Sequence, residues 1–305
     1  MKVLVTGGNG FIGQAVRAEL HARGHRAIIY DRRTYPVEWP VILGDIRDAT
    51  AVTEAVAQCE GVIHLAGVLG TQETITNPYP AAETNVLGGL NVLTACAQYG
   101  LPLVNIAVGN WFEANTYSIT KAAVERFVLM NATHRSQPQV SVRAFNAYGP
   151  GQSVSAPYGA SKVRKIMPSF VTRALHGELI EVYGDGGQIM DMIWAADVAT
   201  VLVAALEHVA EHGAPDAIWE AGSGEPTTVL DIARRVQAEV AHQAQIWVDI
   251  RHLPMRPGET PGVVVQADMA ATTEALGLDT STFTPLGDGI ARVVEFYRKT
   301  HPAGG

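Results

Sequence analysis

The fold is decided by residues 2–13, which read Lys2-Val3-Leu4-Val5-Thr6-Gly7-Gly8-Asn9-Gly10-Phe11-Ile12-Gly13. A short apolar run of β-branched character leads into spaced glycines, and a helical pattern follows. A tight turn, a close backbone approach and a closely packed helix each need a residue without Cβ, which fits Gly7, Gly10 and Gly13. The helix N-terminus would then present free N–H groups to a pyrophosphate. The stretch predicts a dinucleotide-binding turn, with an ordinary glycine-rich turn as the alternative.

Outward from this turn, short β-branched runs alternate with amphipathic helical stretches, which is typical of βαβ units and a parallel sheet. Strands are predicted at 2–6, 27–30, 41–43, 61–66, 103–108 and 140–145. The residue pattern changes near residue 149, where a loop containing Ser, Pro and Gly begins. We therefore predict an α/β protein in which a Rossmann-type, doubly wound parallel sheet is joined to a smaller C-terminal α/β substrate domain. The predicted bounds are 1–150, with returning elements at about 190–222, for the first domain, and 151–189 with 223–305 for the second.

Composition and charge restrict the class of protein. The chain has 305 residues, of which 47% are hydrophobic, so it has enough apolar material for a folded core. It carries 22 Lys and Arg against 30 Asp and Glu, a formal charge of −8, which disfavours nucleic acid as a partner. No signal-peptide pattern or long apolar run occurs, so we expect a cytoplasmic protein without a membrane span. Two cysteines and the histidine spacing give no support for disulfides or a metal site.

An acidic residue ends the second predicted strand and indicates which dinucleotide is bound. Asp31 can accept both ribose hydroxyls of an adenosine and would repel a 2′-phosphate, which favours NAD over NADP. Arg32 and Arg33 follow directly and could grip a 2′-phosphate, so NADP remains the less favoured alternative, and Asp31 could instead be a strand-end turn residue. Asp45, after the third strand, is a candidate partner for the adenine amino group or a turn-capping residue.

A tyrosine and a lysine stand four residues apart in Tyr117-Ser-Ile-Thr-Lys121, on one face of a helix predicted at 116–131. A phenol with an ordinary pKa near 10 can exchange a proton at neutral pH only if nearby positive charge stabilises its anion. Tyr117 is therefore the candidate acid/base and Lys121 its electrostatic support and a ribose ligand. A second pair, Tyr158 and Lys162, lies in the loop region beyond the sheet, whereas Tyr117 follows the fifth strand at the expected cofactor crevice.

These features occur in order with further motifs: Gly44-Asp45-Ile46, His64-Leu65-Ala66, Asn85-Val86 with Gly88, Arg143-Ala-Phe-Asn146-Ala-Tyr148-Gly-Pro-Gly, Tyr183-Gly-Asp-Gly, Asp197-Val198-Ala199, Ala221-Gly-Ser-Gly-Glu225, Arg256-Pro-Gly-Glu259 and Leu276-Gly277. Together they resemble the extended short-chain dehydrogenase/reductase family, in its nucleotide-sugar epimerase and dehydratase branch. The resemblance implies a dinucleotide held by Gly7, Gly10, Phe11, Ile12, Gly13, Asp31, Arg32, Asp45, Ile46, Leu65, Ala66, Gly67, Asn85, Tyr117 and Lys121. It also implies a nucleotide-sugar substrate near Asn146 and Arg256, and a homodimer formed through helices near 81–98 and 116–131.

The sequence departs from the family's pattern at the end of the fifth strand. The family keeps a Ser or Thr that hydrogen-bonds the reacting hydroxyl, and the alignment puts Val108 there. Asn110 or Thr116 are candidate substitutes, because a lost polar contact would cost about 1–3 kcal/mol of transition-state stabilisation. Gly109 and Asn110 also stand where the dehydratase branch has Asp and Glu, which disfavours a 4,6-dehydratase.

A second departure concerns anion binding. Met190 occupies a position where the family commonly has an arginine that contacts a diphosphate. Anion binding then depends on Arg256, with Arg251 or Arg143 as possible helpers, although Arg143 could equally form a strand-end ion pair.

Three functional hypotheses follow. The first is an NAD-dependent oxidoreductase or epimerase of nucleotide-activated sugars with Tyr117 as acid/base. The second is an NAD(P)H-dependent reductase or dehydrogenase of a sugar or another carbonyl compound, with one net hydride transfer. The third is a dinucleotide-binding sensor that lost catalysis together with the Ser or Thr, which the retention of both Tyr117 and Lys121 disfavours.

Overall fold

A computed structural model describes residues 1–34, 36–215 and 217–302. Its main element is a seven-stranded sheet in which all neighbouring strands are parallel. The strands are β1 (Lys2–Thr6), β2 (Arg26–Asp31), β3 (Val41–Leu43), β4 (Gly61–His64), β5 (Leu103–Val108), β6 (Gln139–Ala144) and β10 (Trp219–Ala221). Their order is β10-β6-β5-β4-β1-β2-β3, so the winding reverses between β1 and β4. In such sheets, ligands bind at the carboxyl ends of the strands beside that reversal.

The predicted doubly wound Rossmann-type sheet is confirmed, with differences in length. The strand predicted at 61–66 ends at His64, and Leu65 and Ala66 belong to the following loop. Every residue of β5 is buried, because helices cover both faces of the sheet.

The helices of this half lie on both faces of the sheet. They are α1 (Phe11–Ala22), α2 (Ala49–Val56), α3 (Tyr79–Ala81), α4 (Gly89–Tyr99), α5 (Thr116–Arg135) and α7 (Ala195–His212). One apolar core lies between the sheet and α1 with α7, and a second lies between the other face and α2, α4 and α5. The helix predicted at 81–98 is interrupted by a π-helical segment at Ala82–Gly88, which lies between α3 and α4.

A third apolar core belongs to the smaller C-terminal part of the chain. Its helices are α6 (Ile166–Leu175), α8 (Val229–Ala244) and α10 (Leu286–Thr300). From the same part of the chain, α9 (Ala270–Leu276) packs instead against the first core, beside α7 and β10, and a 3₁₀ turn follows at Thr280–Thr282. The strands of this part are β7 (Asn146–Tyr148), β8 (Ile180–Tyr183), β9 (Ile189–Trp194), β11 (Pro226–Thr228), β12 (Ile250–Leu253) and β13 (Val264–Val265). In these strands β9 pairs with β7, β11 and β13, and β8 pairs with β12.

The chain passes between the two sheets at Phe145, whose backbone N–H donates to the carbonyl of Ala221 at 3.0 Å. The smaller α/β part is thus present as predicted. The residue bounds of the two domains stay a prediction, and residues 303–305 of the predicted range lie outside the described residues. In the part of the chain that the structure describes, we find no helix with the length and apolar character needed to cross a membrane.

Candidate functional site

A cavity of about 540 Å³ opens at the carboxyl ends of the sheet strands and extends into the C-terminal part. Its walls include most of the predicted site residues: Gly7, Gly10, Phe11, Ile12, Gly13, Asp31, Arg32, Asp45, Ile46, Leu65, Ala66, Gly67, Asn110, Tyr117, Lys121, Asn146 and Arg256. Two predicted residues, Asn85 and Thr116, do not line the cavity. The elements that β1, β4, β5 and β6 lead into therefore converge on one site.

The glycine loop forms the floor at one end. Gly7 has φ +71°, and a Cβ there would lie 2.8 Å from the backbone nitrogen of Ala66. A Cβ on Gly13 would lie 2.6 Å from the carbonyl oxygen of Gly7. No side chain caps the start of α1 after Gly10, so its first N–H groups stay available to an anion. Backbone with no room for side chains, in front of an uncapped helix start, fits a pyrophosphate.

Asp31 lies beside this loop. One carboxylate oxygen accepts a hydrogen bond from the backbone N–H of Asn9 at 3.1 Å, and the other accepts from that of Arg33 at 3.2 Å. These contacts orient the carboxylate towards the cavity, and each oxygen keeps acceptor capacity for a ribose hydroxyl. The arrangement fits an adenosine ribose without a 2′-phosphate.

Asp45 and Arg32 face the same end. Hydrogen bonds from Arg47 hold the pKa of Asp45 below its usual value, and the Asp45 side chain also accepts from the backbone N–H of Arg47 at 3.0 Å. Asp45 therefore caps the turn, as the alternative interpretation of the sequence has it, and it also lines the cavity. The Arg32 guanidinium is 3.8 Å from the Asp45 carboxylate. Its charge is therefore shared with an acid and is less available to a 2′-phosphate.

Tyr117 and Lys121 lie in the first turns of α5. This helix begins after Asn115, whose side-chain oxygen accepts from the backbone N–H of Ser118 at 3.0 Å. The Asn115 amide also donates to the carbonyl of Gly258 at 3.1 Å, which ties the helix start to the C-terminal part. The cap and the tie hold the start of the helix that carries both side chains.

The acid/base pair has strongly shifted pKa values. Burial raises the pKa of Tyr117 to about 12. Burial also lowers the pKa of Lys121 to about 8, with an opposing effect of Glu125. Burial is thus the cause of the raised phenol pKa, and the expected lowering of that pKa by Lys121 is not found within the protein alone. The site holds a neutral phenol beside an ammonium that loses its proton more readily than usual. Added positive charge would lower the pKa of both groups.

Asn85 lies outside the cavity wall and positions a loop of that wall. Its side-chain oxygen accepts from the backbone N–H of Val68 at 2.7 Å, and its amide donates to the hydroxyl of Thr120 at 3.0 Å. It thereby fastens the loop after β4 to α5. Thr116 is also engaged elsewhere, since its hydroxyl donates to the carbonyl of Thr74 at 3.0 Å. Of the two candidate substitutes for the missing hydroxyl, only Asn110 is in the cavity wall.

Val108 is the last residue of β5 and lines the cavity, as the alignment predicted. Next to it, a Cβ on Gly109 would lie 2.6 Å from the ring of Phe145. Phe145 therefore leaves no room for the acidic side chain of the dehydratase branch at this position. The second tyrosine of the YxxxK type, Tyr158, does not line the cavity and instead packs on His176 with ring centroids 4.3 Å apart.

Basic side chains gather at the other end of the cavity. The Arg256 guanidinium lies 5.0 Å from the centroid of the Tyr183 ring, pairs with Glu259, and has a buried Nε without a partner among the described residues. Lys165 is in the same wall, and burial lowers its pKa. An orphaned guanidinium nitrogen and a buried ammonium fit a diphosphate.

Several assignments at this end were missed or changed. Arg164 and Lys165 form a basic pair at the start of α6, a local sequence signal of anion binding that lies outside the family motifs. Arg143 is engaged by Glu125 at 2.7 Å, which is the ion-pair alternative. Arg251 pairs with Glu181, and neither Arg143 nor Arg251 lines the cavity. Neither of these arginines therefore lies in the wall where an anion would bind, and Arg143 has the ion pair that was its alternative.

Met190 does line the cavity, beside Asn146. The Asn146 amide contacts the Met190 sulfur at 3.6 Å and donates to the carbonyl of Asp191 at 3.3 Å. Acidic residues outside the predicted site also line the cavity, among them Glu73, Glu113 and Glu181.

Comparison with known proteins gives one family and several reactions. A family model described as "NAD dependent epimerase/dehydratase family" matches residues 3–222. A dTDP-glucose 4,6-dehydratase of Streptomyces niveus is 27% identical, over 98% of this chain and 93% of the relative. A 2-alkyl-3-oxoalkanoate reductase of Stenotrophomonas maltophilia is 30% identical, over 79% of this chain and 76% of the relative. The crystal structure of Thermus thermophilus UDP-glucose 4-epimerase with NAD is 27% identical, with a TM-score of 0.82 over 98% of this chain and 99% of that one.

Proposed function

The chain belongs to the NAD-dependent epimerase/dehydratase family, and on that premise we propose that it is an epimerase of a nucleotide-activated sugar. The observation that carries the proposal is the single cavity that joins a glycine loop, a tyrosine–lysine pair and a basic end. NAD is the cofactor of the family. The relatives perform dehydration, reduction and epimerisation, so the choice among these reactions depends on the residues of this chain.

The dinucleotide half of the cavity is proposed to bind NAD through backbone N–H groups and the carboxylate of Asp31. The glycine loop and the N-terminus of α1 would bind the pyrophosphate, and Asp31 the adenosine ribose. Leu65, Ala66 and Gly67 would line the path towards Tyr117. NAD bound there supplies a hydride acceptor and a positive charge on its nicotinamide.

The proposed proton chemistry belongs to Tyr117. With its pKa raised to about 12 by burial, ionising the phenol at pH 7 costs about 7 kcal/mol. Lys121 would offset part of this cost and bind a ribose hydroxyl with its ammonium. The phenolate would take the proton of a sugar hydroxyl, and the phenol would return it after the keto sugar has presented its other face.

The basic end supports an anionic substrate. Arg256 and Lys165 would meet the diphosphate, and Asn146 would contact it beside Met190. Arg164 is engaged by the Tyr183 hydroxyl at 2.9 Å and by Glu181, so its role is to hold this wall in place. A 4,6-dehydratase is disfavoured, because Phe145 leaves no space for an acid at Gly109.

The test is a panel of UDP- and dTDP-sugars incubated with the enzyme and NAD, with products read by mass spectrometry and NMR. An epimerase gives a product of unchanged mass and altered configuration, with no net change in NADH absorbance. Tyr117→Phe is expected to lower kcat by about 10²–10⁴-fold while NAD still binds. Tyr158→Phe is the matched control, because Tyr158 lies outside the cavity. Full activity in Tyr117→Phe would remove the tyrosine from the mechanism.

One alternative is a reductase with a single net hydride transfer, which the similarity to the Stenotrophomonas reductase favours. The same panel separates the two, since a reductase consumes added NADH stoichiometrically. A sensor without catalysis would bind NAD and show no transfer of isotope from any sugar carbon.

We also propose a homodimer through the segment 79–99 and α5. Large apolar side chains are exposed on these helices, at Tyr79, Leu87, Tyr99, Ile119, Phe127 and Met130. Burial of such side chains is the main source of affinity in a stable dimer interface. Light scattering after gel filtration is expected to give a dimer that Ile119→Glu converts to a monomer. Trp247→Glu, at an apolar side chain exposed elsewhere, should leave the dimer intact, and a wild-type monomer would contradict the proposal.

A further inference from the structure

Glu113 is a charged side chain buried in the wall of the cavity, in the segment that links β5 to α5. Its residue is only 7% exposed. One carboxylate oxygen, Oε2, accepts a hydrogen bond from the hydroxyl of Thr260 at 2.9 Å. Among the described residues, Oε1 has no hydrogen-bond donor. Oε1 therefore keeps its full acceptor capacity for a donor group that enters the cavity.

Two other acids of the cavity wall are already neutralised by arginines. Glu181 is paired with Arg164 at 2.9 Å and Arg173 at 3.3 Å, and Glu259 is paired with Arg256. Glu113 forms no ion pair with any residue in the described ranges. Glu113 therefore contributes to the cavity wall a carboxylate without an ion-pair partner among the described residues, to which a donor group of a ligand can bind.

Thr260 determines how this charge is presented. Because its hydroxyl holds Oε2, and Asn115 is tied to Gly258 at 3.1 Å, the carboxylate sits between two fastened segments. It is thus pre-positioned and does not need to be ordered when a ligand enters. A fixed acceptor of this kind favours a neutral or cationic donor group and opposes an anionic one.

We propose that Glu113 is a specificity-determining residue that accepts a hydrogen bond from a hydroxyl or ammonium group of the sugar and rejects sugars that carry a carboxylate. The inference rests on the proposed function, because it assumes that the diphosphate lies at Arg256 and Lys165 and the sugar towards Tyr117. It assigns the substrate to nucleotide-activated neutral or amino sugars and excludes uronic acids. It also gives this wall a polar contact to the sugar despite the valine at position 108.

The test measures binding by calorimetry to the NAD-loaded protein with four probes: UDP, dTDP, UDP-glucose and UDP-glucuronate. The two sugars differ in one group, a hydroxymethyl or a carboxylate. For wild type we expect UDP-glucuronate to bind at least about 10-fold more weakly than UDP-glucose, since two close carboxylates repel in a poorly solvated cavity. Glu113→Gln keeps the shape and the Thr260 contact, and should bring the two affinities within about 3-fold of each other. Glu73→Gln is the matched control, because Glu73 is an exposed carboxylate of the same cavity and should leave the wild-type ratio unchanged.

The outcomes are distinct. Equal affinities for the two sugars in wild type overturn the inference and leave the proposed function standing, as does an unchanged ratio in Glu113→Gln. An equal effect of Glu73→Gln also overturns it, because the discrimination would then reflect the general charge of the cavity. Failure of both UDP and dTDP to bind overturns the proposed function and this inference with it. UDP affinity preserved in Glu113→Gln shows that the variant is folded.

Discussion

Lys121 brings a positive charge into the interior, where no described residue forms an ion pair with it. Its residue is 5% exposed. The nearest acid that acts on it, Glu125, is held by Arg143 at 2.7 Å. Burial consequently lowers the pKa of Lys121 from its ordinary value of 10.5 to about 8. We predict that Lys121→Met, which keeps the apolar stem and removes the charge, stabilises the protein in the absence of NAD.

The magnitude follows from the two pKa values. The pKa of Lys121 is about 8 in the folded protein and 10.5 in the unfolded chain. This difference corresponds to about 3 kcal/mol of unfolding free energy. The folded protein binds fewer protons than the unfolded chain between these pH values, so wild-type stability rises with pH there. The penalty from Lys121 is thus full below about pH 8 and is lost as the pH approaches 10.5.

The assay is urea unfolding followed by circular dichroism, at pH 7 and at pH 9.5. The variant is expected to be more stable by about 3 kcal/mol at pH 7 and by about 1 kcal/mol at pH 9.5. Lys162→Met, at the exposed lysine of the second YxxxK pair, should give no pH-dependent gain. A variant that is less stable at pH 7, or equally stabilised at both pH values, would refute the reasoning.

Three further predictions concern the cavity. Asp31→Ala removes the acceptor for the ribose hydroxyls and the repulsion of a 2′-phosphate, so fluorescence titration should show the NAD to NADP affinity ratio shifting at least about 10-fold towards NADP; an unchanged ratio argues against this role. Val108→Thr restores a hydroxyl at the end of β5 and is expected to raise kcat about 10-fold, corresponding to one hydrogen bond, whereas a fall in kcat would show that valine is required. Gly13→Ala puts a Cβ 2.6 Å from a carbonyl oxygen of the glycine loop and should weaken NAD binding at least about 10-fold. Gly287→Ala, where a Cβ meets nothing within 4 Å, is its control.

Much of the dinucleotide half could be predicted from sequence, because its signals are local. The glycine loop, Asp31 and the Tyr117–Lys121 pair each lie within one turn or one strand end of a regular element. Their side chains are positioned by that element, and parallel strands bring such ends to one edge of the sheet. The order of these motifs along the chain then indicated the family.

The opposite end of the cavity was much less predictable. Arg251 and Arg143 were reasonable choices by residue type, but both are paired with acids from other elements. Lys165 and Glu113 lie in connecting segments with no motif of their own. Which of these charges is neutralised depends on partners distant in the chain, as in the contact between Glu113 and Thr260.

The sequence by itself thus determined the class of fold and, through its motifs, the family. It also predicted a dinucleotide site and a candidate acid/base pair, because short-range spacing on helices and strands specifies them. Only the tertiary structure decided which charges are free to meet a substrate. The physical reason is that a charge is available only when no counter-ion from another part of the chain reaches it. That balance is set by long-range packing, and it leaves Lys165 and the unpartnered Nε of Arg256 for an anion and Glu113 for a donor.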